Sequence, residues 1–363
     1  MARRVHVELG ERSYDIVIGR NIRIGTVLKQ TGATGGLLVS DSNIDPVHGD
    51  ACQAGLESIG LKVARLVIPA GEQSKSMTSL CRIYDRALEL GLDRFSFMVA
   101  LGGGMIGDLV GFAAATYMRG IALAQVPTSM LAMVDSSVGG KTGVNLEQGK
   151  NLVGSFYQPV EVAVDLALLE TLPEREFVSG LAEVVKYGVI DDFELFELIE
   201  ANVDGVLQRS GKLLEQIVAR CCEIKAGIVS EDEREGGRRA ILNFGHTFGH
   251  ALENAEGYGR LLHGEALAVG MVYAAELSAW ECGLPVDQKE RRSKLLRSLG
   301  LPVSPADAGM TWNMLREKMT ADKKTRASVP RFVLAEGIGS VIIGRTVSEE
   351  VLAEAFEVLV CRA

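Results

Sequence analysis

The chain has 363 residues, 47% hydrophobic and 23% charged, an ordinary globular composition and enough length for two cores. A net charge of −9 argues against a surface built for nucleic acid or an anionic membrane. Cys52, Cys81, Cys221, Cys222, Cys282 and Cys361 form no CxxC pair, so reduced thiols of a cytoplasmic protein are expected rather than a disulfide framework.

The opening MARRVHVELGERSYDIVIG has basic residues but no apolar stretch behind them, so it reads as fold and not as a signal peptide. VHVEL and YDIVIG alternate as the strands of a hairpin. GGLLVSD (35–41), KVARLVIP (62–69), FSFMVALGGG (95–104) and IALAQVP (121–127) follow as strands, each running into loop-forming residues. Helical stretches separate them. Such alternation predicts an α/β domain with a parallel sheet, whose ligands bind beyond the carboxyl ends of the strands. From Leu172 onward, 3.6-residue periodicity dominates, at 174–200, 211–232, 244–256, 264–282 and 287–299. The turn TLPERE (171–176) divides the chain into an α/β domain, 1–171, and a mainly helical one, 172–363. The active site is expected in the cleft between these halves. No apolar run is long enough for a membrane span.

LGGGMIGDLVGF (101–112) follows a strand and opens a helix, and Gly102, Gly104 and Gly107 fit G-x-G-x-x-G. Backbone N–H groups in such a turn can approach a pyrophosphate, although tight helix–strand packing alone would also select glycine. The acid best placed for a ribose, Asp41, lies upstream of the glycines, so a dinucleotide here requires a strand order different from the usual one. A second glycine cluster, VDSSVGGKTGVN (134–145), offers Asp135, Ser136, Ser137 and Lys141, and continues to Lys150 and Asn151.

Some charges stand where apolar side chains are expected. Lys225 falls on the stripe Leu214, Ile217, Val218, Cys221 and Ile228, either snorkelling or reaching into a site. Glu183, Lys186 and Tyr187 share a helix face, as an intrahelical ion pair or as part of a site. With Arg119, Lys141, Lys150 and Arg239 these lysines describe, if they converge, a pocket for a small polyanion. His246, His250 and His263 are three of only five histidines and lie within one short window. Imidazoles with a carboxylate suit zinc or a similar divalent ion. Glu183, Glu253 and Glu265 are the candidate carboxylates, and spacing does not choose among them.

Taken in order, GGGMIGDLVGFAAATYMRG, PTSMLAMVDSSVGGKTGVN, GKNLVGSFYQP, LPEREFVSGLAEVVKYG, LNFGHTFGHALE and LHGEALAVGM resemble the 3-dehydroquinate synthases, over most of the chain. The resemblance implies a Rossmann-like NAD-binding domain followed by a helical metal-binding domain. It implies conversion of 3-deoxy-D-arabino-heptulosonate 7-phosphate to 3-dehydroquinate and phosphate, with NAD and a divalent metal, zinc or cobalt. NAD transiently oxidises the carbon-5 hydroxyl, phosphate is eliminated and takes up a proton itself, the ketone is reduced, and an aldol step closes the ring.

Carried over by motif, the resemblance makes Glu183, His246 and His263 the metal ligands, with His250 beside the substrate. It puts Arg119, Asp135, Lys141, Asn151, Lys186, Lys225, Arg239, Asn243 and Lys323 on the substrate side. It puts Asp41, Asn43, Gly71, Glu72, Gln73, Lys75, Gly104, Met105, Ile106, Gly107, Asp108, Thr128, Ser129, Lys141, Lys150, Leu168, Leu169, Glu170 and Thr171 on the cofactor side. A cytoplasmic homodimer is the family expectation, with a sugar phosphate as the small-molecule partner. Departures from the family pattern are Ser129 for a threonine, Met133 for a polar residue and Ser328 for a glycine. Rival readings are a cyclase making inososes or valiolones, one taking an amino-substituted substrate, a metal- and NAD-dependent polyol dehydrogenase, and a nucleotide-binding scaffold without chemistry.

Overall fold

The computed structural model describes residues 2–257, 260–305, 310–320 and 330–361. It divides into two compact units, the first comprising 1–172 with 214–234 and the second 173–213 with 235–363.

The first unit opens with an antiparallel hairpin, β1 (Arg3–Val7) and β2 (Tyr14–Gly19), and then winds α1 (Thr26–Gln30), β3 (Gly36–Asp41), α2 (Asp50–Ser58), β4 (Val63–Ile68), α3 (Met77–Glu89), β5 (Phe97–Gly102), α4 (Gly104–Thr116) and β6 (Ala122–Pro127). A hairpin of β7 (Lys141–Leu146) and β8 (Gly149–Phe156) and a last strand, β9 (Glu161–Asp165), complete its sheets. The main sheet has the order β1-β2-β9-β6-β5-β3-β4, and from β2 to β4 every neighbouring pair is parallel. Successive side chains of β3 serve opposite cores: Leu37 and Val39 pack with Ile83 and Leu109, whereas Leu38 packs with Leu28 and Leu56. A strand buried on both faces must be apolar at every position, as GLLVSD nearly is.

The second unit carries α5 (Glu174–Ile190), α6 (Phe193–Ala201), α7 (Val203–Leu207) and the start of α8 (Gly211–Glu231). It resumes with α9 (His246–Ala255), α10 (His263–Glu281), α11 (Val286–Ser298), α12 (Trp312–Thr320), the hairpin β10 (Phe332–Gly337) and β11 (Ser340–Arg345), and α13 (Glu349–Val360). The periodic stretch 174–200 is two helices and not one. Asp191 is non-helical at φ −148°, and the Asp192 carboxylate accepts from the Leu195 N–H at 2.9 Å, starting a new helix.

From Leu214, α8 belongs to the first unit. Arg12 makes a two-pronged ion pair with Glu233 at 2.5 and 2.8 Å, and Gln158 donates to the same carboxylate at 2.9 Å. The Glu8 N–H donates to Ser230 Oγ at 3.1 Å, and Cys222 Sγ–H to the Met133 carbonyl at 3.4 Å.

In α11, Arg292 is 2% exposed, and among the described residues none of its guanidinium nitrogens has a hydrogen-bond partner. Burial pushes its pKa down to about 10. An unpaired buried cation is a net cost to folding. Arg292→Met should therefore raise the stability of the protein by about 1–3 kcal/mol, read as a higher urea midpoint. An unchanged or lower midpoint would show that the guanidinium contributes to the fold.

Candidate functional site

In the first unit, the strand order explains the position of Asp41. The glycine turn closes β5, and β3 is its direct neighbour, with Ser40 opposite Leu101. Asp41 thus ends beside Gly102 although it precedes the turn by sixty residues in sequence. The chain runs from β3 outward to β4 and then returns to β5 on the other side of β3, so the β3–β5 junction is the sheet's switch point. Asp41 Oδ1 accepts from the Asn43 and Ile44 N–H groups at 2.8 and 3.2 Å, which fixes the carboxylate.

Helix α4 begins at Gly104 with no side chain capping it. Its first N–H groups are those left without helical acceptors at any helix start, the usual seat of a phosphate. The three motif glycines also have internal reasons to lack a side chain. A β-carbon at Gly102 would press on Ile106, one at Gly104 on Ser136 Oγ at 2.9 Å, and one at Gly107 on Gln125 Oε1 at 2.7 Å.

Around this turn, Lys75 is 4% exposed, and its ammonium meets Asp108 Oδ2 at 2.5 Å and Asn151 Oδ1 at 2.6 Å. Burial raises the Asp108 pKa, with Lys75 opposing. Gly71 is left-handed at φ +108° before the short turn Glu72–Ser74. Thr128 is buried, and Ser129 Oγ accepts from the Ala132 N–H at 3.2 Å, as a threonine hydroxyl there also can. Met133 is fully buried, which accounts for an apolar residue at that position. Residues 168–171 lie in a 3-10 turn, and Thr171 is hydrogen-bonded at 2.7 Å to His48, a histidine that no motif singles out. Lys225, on α8, reaches the Asp135 carbonyl at 2.6 Å and its carboxylate at 2.7 Å. Arg119, at φ +68°, follows Met118 at φ +50° in a left-handed turn after α4. Lys141 opens β7, and Lys150 lies in β8.

In the second unit, α5, α9 and α10 bring Glu183, His246 and His263 together. Their ligand atoms all lie within 4.8 Å of one another, and no other such group occurs among the described residues. Glu183 Oε1 is 3.4 Å from His246 Nε2 and 3.4 Å from His263 Nε2. These separations are long for hydrogen bonds. They match the edge of a tetrahedron about an ion bound at ~2.0–2.1 Å. His246 Nδ1 faces the Phe244 carbonyl at 3.2 Å, and His263 Nδ1 faces Glu253 at 3.5 Å. Both rings therefore have an acceptor behind Nδ1 and present Nε2 at the front.

The approach of α10 to α5 depends on Gly264. A β-carbon there would overlap the Ser179 carbonyl oxygen, and its N–H bonds Ser179 Oγ at 3.1 Å, one turn before Glu183. His250 stays outside the ligand set, its ring 5.3 Å from that of His246 and 5.8 Å from that of His263. Of the two other candidate carboxylates, Glu253 stands behind His263, whereas Glu265 is tied to Arg175 and to the start of α10. Lys186, 1% exposed, pairs with Glu183 Oε2. Arg239 is buried in the turn Arg238–Asn243, and Asn243 donates to Glu235 at 2.7 Å. Lys323 and Ser328 lie outside the described residues.

The electrostatics of the cluster are uneven. Burial works against ionisation of Glu183, but Lys186 and the two imidazoles hold its carboxyl well below the usual range. Burial pushes His246 down to about 4, despite Glu183. Burial also opposes charge on His263, yet Glu183 and Glu253 together raise it to about 10.

Residues 65–179 match the family model described as 3-dehydroquinate synthase N-terminal, and residues 180–325 the one described as 3-dehydroquinate synthase C-terminal. A 3-dehydroquinate synthase of Geobacter sp. (strain M21) is 47% identical over 347 residues, 94% of each chain. Among solved structures, the 2-epi-5-epi-valiolone synthase ValA of Streptomyces hygroscopicus subsp. jinggangensis 5008, with NAD+ and Zn2+ bound, superposes with a TM-score of 0.89 at 28% identity, covering 98% of this chain and 99% of that one. A 2-deoxy-scyllo-inosose synthase complexed with carbaglucose-6-phosphate, NAD+ and Co2+ gives 0.87 at 28% identity, covering 99% and 100%.

A divalent ion can enter the cluster only as His263 loses its proton, because a ligating nitrogen must be unprotonated. His246 is already neutral. Binding of zinc or cobalt should therefore release about one proton and strengthen about tenfold per pH unit between roughly pH 6 and 9. Chelator competition across that range tests this, and a pH-independent affinity would contradict it.

Proposed function

Because this chain belongs to the 3-dehydroquinate synthase family, we propose that it converts 3-deoxy-D-arabino-heptulosonate 7-phosphate to 3-dehydroquinate and phosphate, with NAD and zinc or cobalt. The observation that carries the reading is the convergence of Glu183, His246 and His263 from three helices at metal-ligand spacing, in a chain whose other unit opens an uncapped helix on a glycine turn after an interior strand. Three protein ligands leave coordination positions open, as a catalytic ion needs. When bound, NAD supplies reversible hydride transfer at the carbon-5 hydroxyl, and the ion supplies Lewis-acid polarisation of the same alcohol.

The domain roles follow: 1–171 supplies NAD binding, and 172–363, Lys225 included, supplies the metal and much of the substrate contact. Asp41 and Asn43 hold the adenosine ribose. The segment Gly71–Lys75, Gly104 to Asp108, Thr128, Ser129, Lys141, Lys150 and the turn 168–171 hold the rest of the cofactor. Residues Met105 and Ile106 act through backbone N–H groups at the uncapped start of α4.

For the substrate, the chain supplies charge and orientation. Lys186 occupies one oxygen of Glu183, so the carboxylate offers the other, Oε1, to the ion. Lys225 is held on Asp135, which keeps that carboxylate directed, and Arg119, Lys141, Asn151, Arg239, Asn243 and Lys323 bind the anionic and hydroxyl groups. His250 stands next to the ligand imidazoles but outside the ligand set, and acts on the substrate. Preorganised charge of this kind supports elimination without a large acid–base apparatus. The greater identity to 3-dehydroquinate synthases, 47%, than to valiolone or inosose synthases, 28%, favours the heptulosonate phosphate over their substrates.

Metal-loaded protein given the heptulosonate phosphate and trace NAD should release phosphate with no net NADH. NADH accumulation without phosphate would make it a dehydrogenase. Two variants separate the histidines. His246→Ala should lose bound metal, whereas His250→Ala should keep it and lose on the order of 100-fold in kcat, the size of one positioned proton-handling group. Equal metal loss in both would overturn the division.

A further inference from the structure

We propose that Asn145 is a positioning residue, which ties cofactor-side Glu72 and Lys75 to substrate-side Asn151 through one hydrogen-bonded set. The assignment rests on the roles just proposed for those three residues. Asn145 lies near the end of β7 at an irregularity of the β7–β8 ladder. Val144 pairs with Val153 and Leu146 with Gly149, so Asn145 alone stands opposite Lys150, Asn151 and Leu152, and the extra residues of the bulge lie on β8. The bulge interrupts the β7–β8 ladder at Asn145 and bends β8 so that Asn151 turns back toward it, while the backbone of Asn145 bridges to Ser76 instead.

Every polar group of Asn145 that faces this region is used. Its backbone N–H donates to the Lys75 carbonyl at 2.7 Å. Its side-chain Nδ2 donates to Glu72 Oε1 at 2.7 Å, and its Oδ1 accepts from the Asn151 N–H at 3.0 Å. Asn151 in turn is left-handed, at φ +53°, a conformation that costs a non-glycine residue energy unless neighbours hold it. Its own Oδ1 accepts from the Lys75 ammonium at 2.6 Å, and that ammonium pairs with Asp108 at 2.5 Å.

The circuit thus runs from Glu72 through Asn145 to Asn151, then Lys75 and Asp108. Only an amide satisfies both ends, because Glu72 needs a donor and the Asn151 N–H needs an acceptor. A serine is too short for both, and an aspartate would set a carboxylate against Glu72. No signal in the sequence separates Asn145 from the other polar residues of its glycine-rich stretch. It is found only by its contacts.

The test is Asn145→Asp, which keeps the acceptor for Asn151 and reverses the interaction with Glu72. In the metal-loaded enzyme, the Kd for NAD by calorimetry and the KM for NAD should both rise on the order of tenfold. By contrast, kcat at saturating NAD should fall less than about threefold. In a Glu72→Gln background, where the amide nitrogen restores a donor, the same substitution should change the NAD Kd by less than about threefold. Equal effects in the two backgrounds, or a lowered Tm with unchanged NAD affinity, would overturn the proposal. Failure of the unaltered protein to release phosphate would instead remove the functional reading, and the calorimetric comparison would still decide on Asn145.

Discussion

The second unit is organised around a carboxylate that water does not reach. Glu183 is 1% exposed, and an isolated charge at that depth would be too costly to keep. It persists because Lys186 meets one oxygen and two imidazoles face the other. Removing any one partner strands the remaining charges, so the group behaves as a single object that needs α5, α9 and α10 in register. Gly264 provides that register, by letting the start of α10 touch the α5 backbone one turn away from the carboxylate. Helix packing and ligand geometry are therefore one constraint. The asymmetry of the imidazoles has the same origin, since Glu253 stands behind His263 and only a neutral carbonyl behind His246.

The first unit satisfies its own demand through topology. The strand that ends in an acid beside the glycine turn comes earlier in the chain than the turn itself. The crossover from β4 back over β3 puts Asp41 beside Gly102 all the same. The fold of this unit was legible because its strands are apolar at consecutive positions and stop at glycine, proline or aspartate. The expected strands 35–41, 62–69, 95–104 and 121–127 contain β3 to β6.

What escaped the sequence has identifiable physical causes. β7 and β8 hold Gly143, Gly149 and Gly154 among polar side chains and lack alternation, so they read as loop. β10 and β11 fall in a half where helical periodicity prevails. The break between α5 and α6 depends on two adjacent aspartates, of which one ends a helix and the other starts the next. Among three candidate carboxylates, spacing had no means of choosing. The choice was made by α5, a helix some sixty residues away from the histidines in sequence. His246 and His250 show the same limit, because an i, i+4 pair shares a face whether or not both rings reach one ion.

The two visits of the chain to the first unit bear on how the protein is made. Its sheet ends with β9, but Cys222 and Ser230 of α8 and Glu233 just after it, which bond Met133, Glu8 and Arg12, are synthesised later. Between them the ribosome must deliver α5, α6 and α7, which belong to the other unit. An N-terminal fragment cut at Leu172 therefore lacks part of its own wall. The first unit cannot finish folding in the order in which it is translated, and neither unit can be separated from the other by a single proteolytic cut. The chain is built as two units but inherited as one.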